Sequence, residues 1–295
     1  MAKIVCFNDE NIDNEEATLS IMNRGFKFGD GIFETVRIMN GEPLFLDRHF
    51  ERLSIGIQVL GFTPDKQFTL PYLYKKILSS LETNGIKQGG KARITLYRNG
   101  FGNYKPFSSK WNYVIEVQTV NENDYRLRKE QKLILYPHYT MRKTIFSDFK
   151  TTNCLPFITA AIFAQSKNVD DVIFLNENQH ITETTNANIF WVIGDEIFTP
   201  ALTTGCLSGV FRNLILDTAE DLNIKTFEVE TPLETLKEAT EIFTTNVIAG
   251  IQPVISIEGL NKTYDNHTVK EKLLTHIIDF VQKNYTPSSN HKQYI

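Results

Sequence analysis

Short apolar runs alternate with polar stretches through the first half of the chain, and the second half alternates more regularly. Residues 3–7 (KIVCF) read as a strand, followed by a polar, acidic loop. Runs 33–39 and 43–46 lie on either side of Asn40-Gly41, a dipeptide that favours positive φ in a tight hairpin turn. Asp47 is placed to cap the next helix, in which Phe50, Leu53, Ile57 and Leu60 recur at helical spacing. A second helix is predicted over 68–81, ending at Asn84-Gly85, and strands over 92–97 and 113–117 around a loop rich in Gly, Asn, Pro and Ser. In the second half, strands are expected at 132–136, 172–175, 187–192, 225–229 and 241–244. Helices are expected at 156–166, 210–223 and 269–283.

Residues 119–131 (TVNENDYRLRKEQ) are polar and nearly free of aliphatic side chains, which marks a linker. The division that follows is a smaller N-terminal α/β domain over 1–120, a linker over 121–131, a larger domain over 132–285 and a polar tail over 286–295. The fold class is mixed α/β. With 41% hydrophobic and 22% charged residues the chain has the composition of an ordinary globular protein, not a disordered or fibrous one. A net charge of −4 offers no general footprint for nucleic acid. Cys6, Cys154 and Cys206 are far apart, so neither a disulfide framework nor structural zinc is expected, and a reducing, cytoplasmic setting fits. No apolar run approaches the roughly 20 residues of a membrane span, and the N-terminus turns acidic where a signal peptide would be apolar.

Generic catalytic patterns are missing: there is no GxSxG, HExxH, GxxxxGK[ST] or strand-following GxGxxG, and the six histidines suggest no metal site. Five separated segments remain. They are FGDGIFETVR with the LDRHFERL that follows, FKTTNCL, ITETTNANIF, TTGCLSGVFR and TTNVIAGIQPV.

In this order the segments resemble the class IV aminotransferases, the fold-type IV pyridoxal-phosphate enzymes, over about residues 28–254. That family includes branched-chain and D-amino-acid aminotransferases and 4-amino-4-deoxychorismate lyases. The resemblance implies two domains with the active site between them, the C-terminal one binding the cofactor, pyridoxal 5'-phosphate. It implies a homodimer whose partner helps close the pocket, and a small amino-bearing substrate. Lys150 matches the lysine that holds the cofactor as a Schiff base. Glu183, opening an E-x-x-x-x-N pattern that ends at Asn188, matches the acid on the pyridine nitrogen, and Arg52 the arginine on the phosphate. Gly209, Val210 and Phe211 match a phosphate turn, and Asn246 falls in a second phosphate-contacting loop.

These residue types suit the chemistry. An unprotonated lysine amine condenses with an aldehyde and later moves a proton between carbons. A carboxylate keeps the ring nitrogen protonated, so that the ring serves as an electron sink. A guanidinium and a helix start suit a phosphate dianion. Phe28, Phe33 and Phe211 are candidate apolar walls. Other readings stand beside these. Arg52 can pair with Glu51 or Asp47 as a surface charge, Asn188 can satisfy nearby backbone, His49 has a structural role, and Cys154 and Cys206 are small packed residues. Arg37, Arg93 and Arg98 are candidates for a substrate carboxylate. Arg93 and Arg98 lie five positions apart on one strand and so point to opposite faces; at most one of them faces the site.

Branched-chain aminotransferases carry a tyrosine where this chain has Cys154, and tend to read FEGIR and GTA where it has FETVR and Thr245-Asn246-Val247. The resemblance therefore leans to the lyases, with an amino-acid aminotransferase of D-amino-acid or branched-chain type as the alternative. Phe211 replaces the family's usual threonine, removing a hydroxyl contact to the phosphate. A non-catalytic relative would be expected to lack Lys150 or Glu183, and both are present.

Overall fold

A computed structural model describes residues 3–63 and 65–285; the polar tail expected over 286–295 lies outside the described residues. The chain divides into two units. One comprises the chain through Asp124, the segment Asp148–Asn153 and the chain from Val281; the other comprises Tyr125–Ser147 and Cys154–Phe280.

The first unit is built on an antiparallel sheet in the order β2-β1-β6-β5-β3-β4. Its strands are β1 (Ile4–Phe7), β2 (Glu10–Asp13), β3 (Gly31–Met39), β4 (Glu42–Pro43), β5 (Gly90–Arg98) and β6 (Trp111–Thr119). Its helices are α1 (Arg24–Phe28), α2 (Leu46–Val59) and α3 (Leu70–Thr83). Asn40 and Gly41 both adopt positive φ in the β3–β4 hairpin, as that dipeptide favours. The expected cap at Asp47 is not made. Phe45 occupies the N-cap in a left-handed conformation without a side-chain hydrogen bond, and Asp47 lies inside the first turn, where its charge favours the helix dipole. Ile32, Val36, Ile38, Ala92, Ile94 and Leu96 line the sheet face that meets Leu53, Leu73 and Ile77 of the helices.

The second unit has a mixed sheet in the order β11-β10-β9-β12-β13-β7-β8. Its strands are β7 (Gln131–Met141), β8 (Asp171–Asn176), β9 (Asn188–Ile193), β10 (Glu196–Pro200), β11 (Thr226–Val229), β12 (Glu241–Asn246) and β13 (Gly250–Ile257). Its helices are α4 (Leu155–Ser166), α5 (Val210–Asp221) and α6 (Thr268–Asn284), whose last residues belong to the first unit. One core gathers Ile173, Ile189, Trp191, Ile242 and Val254; another sets α4 against Tyr136, Val172 and Phe174. Among the described residues no helix is long and apolar enough to cross a membrane.

Candidate active site

In the first unit the alternation of β3 sends Ile32, Glu34, Val36 and Ile38 toward the helices, and Phe33, Thr35 and Arg37 to the opposite face. The segment Asp148–Asn153, placed by the sequence in the second domain, lies along β3 instead. Phe33 N–H donates to the Lys150 carbonyl at 3.0 Å, Thr152 N–H donates to the Gly31 carbonyl at 3.0 Å, and Ile32 bridges Thr151. The Thr152 hydroxyl and the Asn153 amide both donate to the Gly29 carbonyl, at 2.8 and 3.0 Å. Gly29 has φ +63°, and a Cβ there would stand 2.4 Å from Asn153 Oδ1. The GDG turn is therefore the dock for the KTTN segment, and it accepts only glycine at its first position. From the other side, a Cβ on Gly56 of α2 would meet Ile32 at 2.9 Å and Phe149 at 3.0 Å, so the missing side chain lets the helix press on the segment.

Lys150 is thus held by its own backbone, with Nζ 5.5 Å from the Phe33 ring centroid. The Arg93 guanidinium lies 3.7 Å from the same centroid, so two cations contact one ring. Arg98 is buried on the opposite face of β5, with Nε on Asp30 at 2.9 Å and Nη2 on the Leu60 carbonyl at 2.6 Å. Arg37, also buried, donates to the Glu122 carbonyl. Of the three candidate arginines, only Arg93 shares an aromatic surface with Lys150. Phe28, the other candidate wall of this unit, sits 5.8 Å from the Tyr104 ring.

Beneath β3 the structure builds a cluster that sequence reading does not supply. The Glu34 carboxylate is buried; it accepts from Arg52 Nε at 2.6 Å and Nη2 at 2.7 Å, and His49 Nδ1 lies 2.7 Å from it. Arg52 thus places two of its three nitrogens on the buried Glu34 carboxylate. Burial alone would raise the Glu34 carboxyl; the opposing charges of Arg52 and His49 outweigh it and hold the group far below the usual carboxylate range. Burial pushes His49 down, and the charges of Arg52 and Lys150 push the same way against Glu34. A carboxylate accepts only, so neutral His49 donates from Nδ1 and carries its lone pair on Nε2. That Nε2 is buried and has no hydrogen-bond partner among the described residues.

In the second unit Glu183 and Asn188 are joined by a tight turn, in which Thr184 N–H donates to the Ala187 carbonyl at 2.9 Å, and they face each other as an antiparallel pair. Asn188 opens β9 and pairs with Thr245 of β12. Glu183 Oε2 accepts the Leu207 N–H at 3.0 Å, and Asn188 Nδ2 donates to the Leu207 carbonyl at 2.8 Å. Two residues later Gly209 is the N-cap of α5, with no side-chain cap and no acid in the first turn. The leading amides, including those of Val210 and Phe211, have no acceptor within the helix and sit at the positive end of its dipole. The Phe211 side chain is not a wall: it is buried edge-on against Tyr125, with centroids 5.1 Å apart, leaving only its backbone at the helix start.

Asn246 is committed to its own turn, its Oδ1 accepting the Ile248 and Ala249 N–H groups at 3.0 and 2.8 Å, while Nδ2 donates to Asn186 Oδ1 at 3.2 Å. The neighbouring Thr245 hydroxyl, which sequence reading missed, is buried without a partner among the described residues. Its signal is the pairing with Asn188, which emerges only once the sheet is assembled. Burial and then the charge of Glu183 push the Cys206 thiol up to about 11, so it stays protonated and unreactive. Cys154 is half-buried at the N-cap of α4.

One unit thus holds a lysine docked on a strand edge, and the other an acid–amide pair beside a helix start with no side-chain cap. The family profile described as amino-transferase class IV matches residues 31–257. The chain belongs to the class IV aminotransferase family. It is 30% identical over 264 residues to the aminodeoxychorismate lyase of Bacillus subtilis (strain 168), covering 88% of each. It is 27% identical over 261 residues to a D-alanine aminotransferase of Staphylococcus epidermidis, covering 87% of this chain and 90% of that one. Its fold matches a branched-chain aminotransferase from Thermoproteus uzoniensis with a TM-score of 0.85 at 24% identity, covering 97% of both. The chain is therefore an enzyme of the fold-type IV group, a family that generally depends on pyridoxal phosphate.

Proposed function

We propose that this enzyme uses pyridoxal 5'-phosphate and cleaves 4-amino-4-deoxychorismate to pyruvate and 4-aminobenzoate. The observation that carries the reading is Lys150, whose backbone is fixed on β3 while its amine contacts the same ring as Arg93. The residues fit the cofactor. The buried, unpartnered Thr245 hydroxyl and the open amides of α5 suit a phosphate, and the nearly buried Glu183 carboxylate suits a protonated pyridine nitrogen. When bound, the cofactor supplies an electron sink for the carbon that loses its proton.

The chain's own residues do the rest. Lys150 would hold the cofactor covalently at rest, and its released amine would take the proton from the amine-bearing carbon. The C–O bond on the neighbouring ring carbon then breaks, the departing enolpyruvate takes up a proton to become pyruvate, and aromatisation of the ring drives the loss. Arg93 pairs with a substrate carboxylate, a role suited to a planar cation already ordered on Phe33. The thirty-per-cent relative named as a lyase supports this reading over amino-group transfer. The D-alanine aminotransferase similarity supports the second reading, in which Lys150 moves a proton between two carbons and a keto acid accepts the amine.

Protein loaded with pyridoxal phosphate should show visible absorbance that borohydride removes, and Lys150→Ala should lack the reducible chromophore. The loaded enzyme should release pyruvate and 4-aminobenzoate in equal amounts with no keto acid added. Turnover that requires a keto acid would make it an aminotransferase. A reducible chromophore persisting in Lys150→Ala would end both readings.

A further inference from the structure

We propose that Asn188 is a positioning residue: with Glu183 it clamps the backbone of Leu207 and so ties the carboxylate meant for the ring nitrogen to the loop that aims the phosphate-binding amides. The inference rests on the cofactor reading above.

Glu183 accepts the N–H of Leu207 and Asn188 donates to its C=O, so a single residue is gripped at both backbone groups. The spacing of the pair follows from this. A tight turn between the two makes them cross-strand partners with side chains on one face, the separation at which a donor and an acceptor can hold one residue. Asn188 is not needed to satisfy the Leu207 carbonyl, because Gly209 N–H already donates to it at 2.9 Å. The additional bond therefore sets orientation.

Gly209 gives an independent sign of the same device. Its φ and ψ, −68° and 138°, are open to any residue, so the backbone does not require glycine there. The requirement is steric: a Cβ would lie 2.0 Å from Asn188 Oδ1. Glycine lets the asparagine reach over the loop to Leu207, and α5 begins at the next residue. With the clamp closed, Glu183 and the amides of Val210 and Phe211 are tied to one stretch of backbone, so that neither shifts without the other.

The test compares pyridoxal phosphate with pyridoxal, which lacks the phosphate, by equilibrium dialysis on wild type, Asn188→Ala and Asn188→Ser. The serine hydroxyl is too short to reach the Leu207 carbonyl. Both variants should narrow the preference for pyridoxal phosphate by about 3- to 10-fold, the scale of one hydrogen bond. An Asn188 that only stabilises the fold would lower the urea midpoint and leave that ratio unchanged, which would overturn the inference. Gly209→Ala should lower the urea midpoint of the apo-protein in the wild-type background and much less beside Asn188→Ala. An equal loss in both backgrounds would also overturn it. If wild type binds neither ligand, the cofactor reading fails, while the Gly209 and Asn188 cycle still reports on the clamp.

Discussion

Replacing Glu34 by glutamine should unfold the first unit far more readily than any surface charge change. The buried carboxylate takes three charge-assisted contacts, two from Arg52 and one from His49, all at 2.6–2.7 Å. Glutamine keeps the shape but has one acceptor oxygen, and it turns an NH2 group toward a donor. Arg52, itself buried, loses the charge of the carboxylate that takes two of its nitrogens. Breaking a buried pair from one side costs about 3–5 kcal/mol. At about 2–4 °C per kcal/mol for a chain of this size, the melting temperature should fall by roughly 6–20 °C. Thermal melts followed by far-UV circular dichroism measure this, with Asp9→Asn as the control. Asp9 pairs with Lys76 at 2.6 Å on the surface, and its loss should cost less than about 1 kcal/mol. Combining Glu34→Leu with Arg52→Met should recover part of the stability, since an apolar pair removes both buried charges. A Glu34→Gln protein melting within about 2 °C of wild type would refute the view that this cluster is desolvated and mutually dependent.

Two further outcomes follow from the same unit. Gly29→Ala should cost about 1–2 kcal/mol from the left-handed backbone alone and more from the Asn153 contact; Asn153→Ala should relieve only the second part, and equal losses in both backgrounds by urea denaturation would count against the docking geometry. Acid should destabilise the protein in two stages. His49 is held below its ordinary 6.5, so the unfolded chain gains a proton first and stability falls as pH drops through about 6.5; Glu34 is held below its ordinary 4.5, so its contribution, complete above that value, is lost as pH falls further. Urea midpoints between pH 7 and 3 test this, and His49→Gln should remove the upper stage; a flat profile from pH 7 to 5 would contradict it.

Elements with their own periodicity were legible in the chain. The helices α2, α3, α5 and α6 and the strands β3, β5, β6 and β9 fall where their apolar residues put them, because the faces they bury are written in their own sequence; β9 is buried on both. Those hidden from it depend on partners. β2 (ENID) has one apolar residue and exists through its backbone pairing with β1. β13 contains Pro253, which argues against a central strand, yet its parallel ladder with β7 starts at Val254, so no N–H is missed on that side. The helix α1 has five residues and no periodicity to read; its marks are the cap Asn23 and the left-handed Gly29. Site residues divide in the same way. Motif order singles out Lys150, Glu183 and Asn188, whereas the partners of Arg52, the burial of Arg37 and the unpaired Thr245 hydroxyl arise where β3 meets α2, where Arg37 reaches Glu122, and where β9 meets β12.

The return of residues 148–153 to the first sheet, and of the chain from Val281, has a consequence for biosynthesis. A ribosome that has released everything through Asp124 has not yet made Phe149, which Gly56 leaves room for, nor Tyr285, whose hydroxyl accepts the Phe45 N–H at 3.2 Å. Nascent chains arrested at that point would expose the bare edge of β3, so a fragment ending at Asp124 should be less stable and more prone to edge pairing than the same unit in the whole chain.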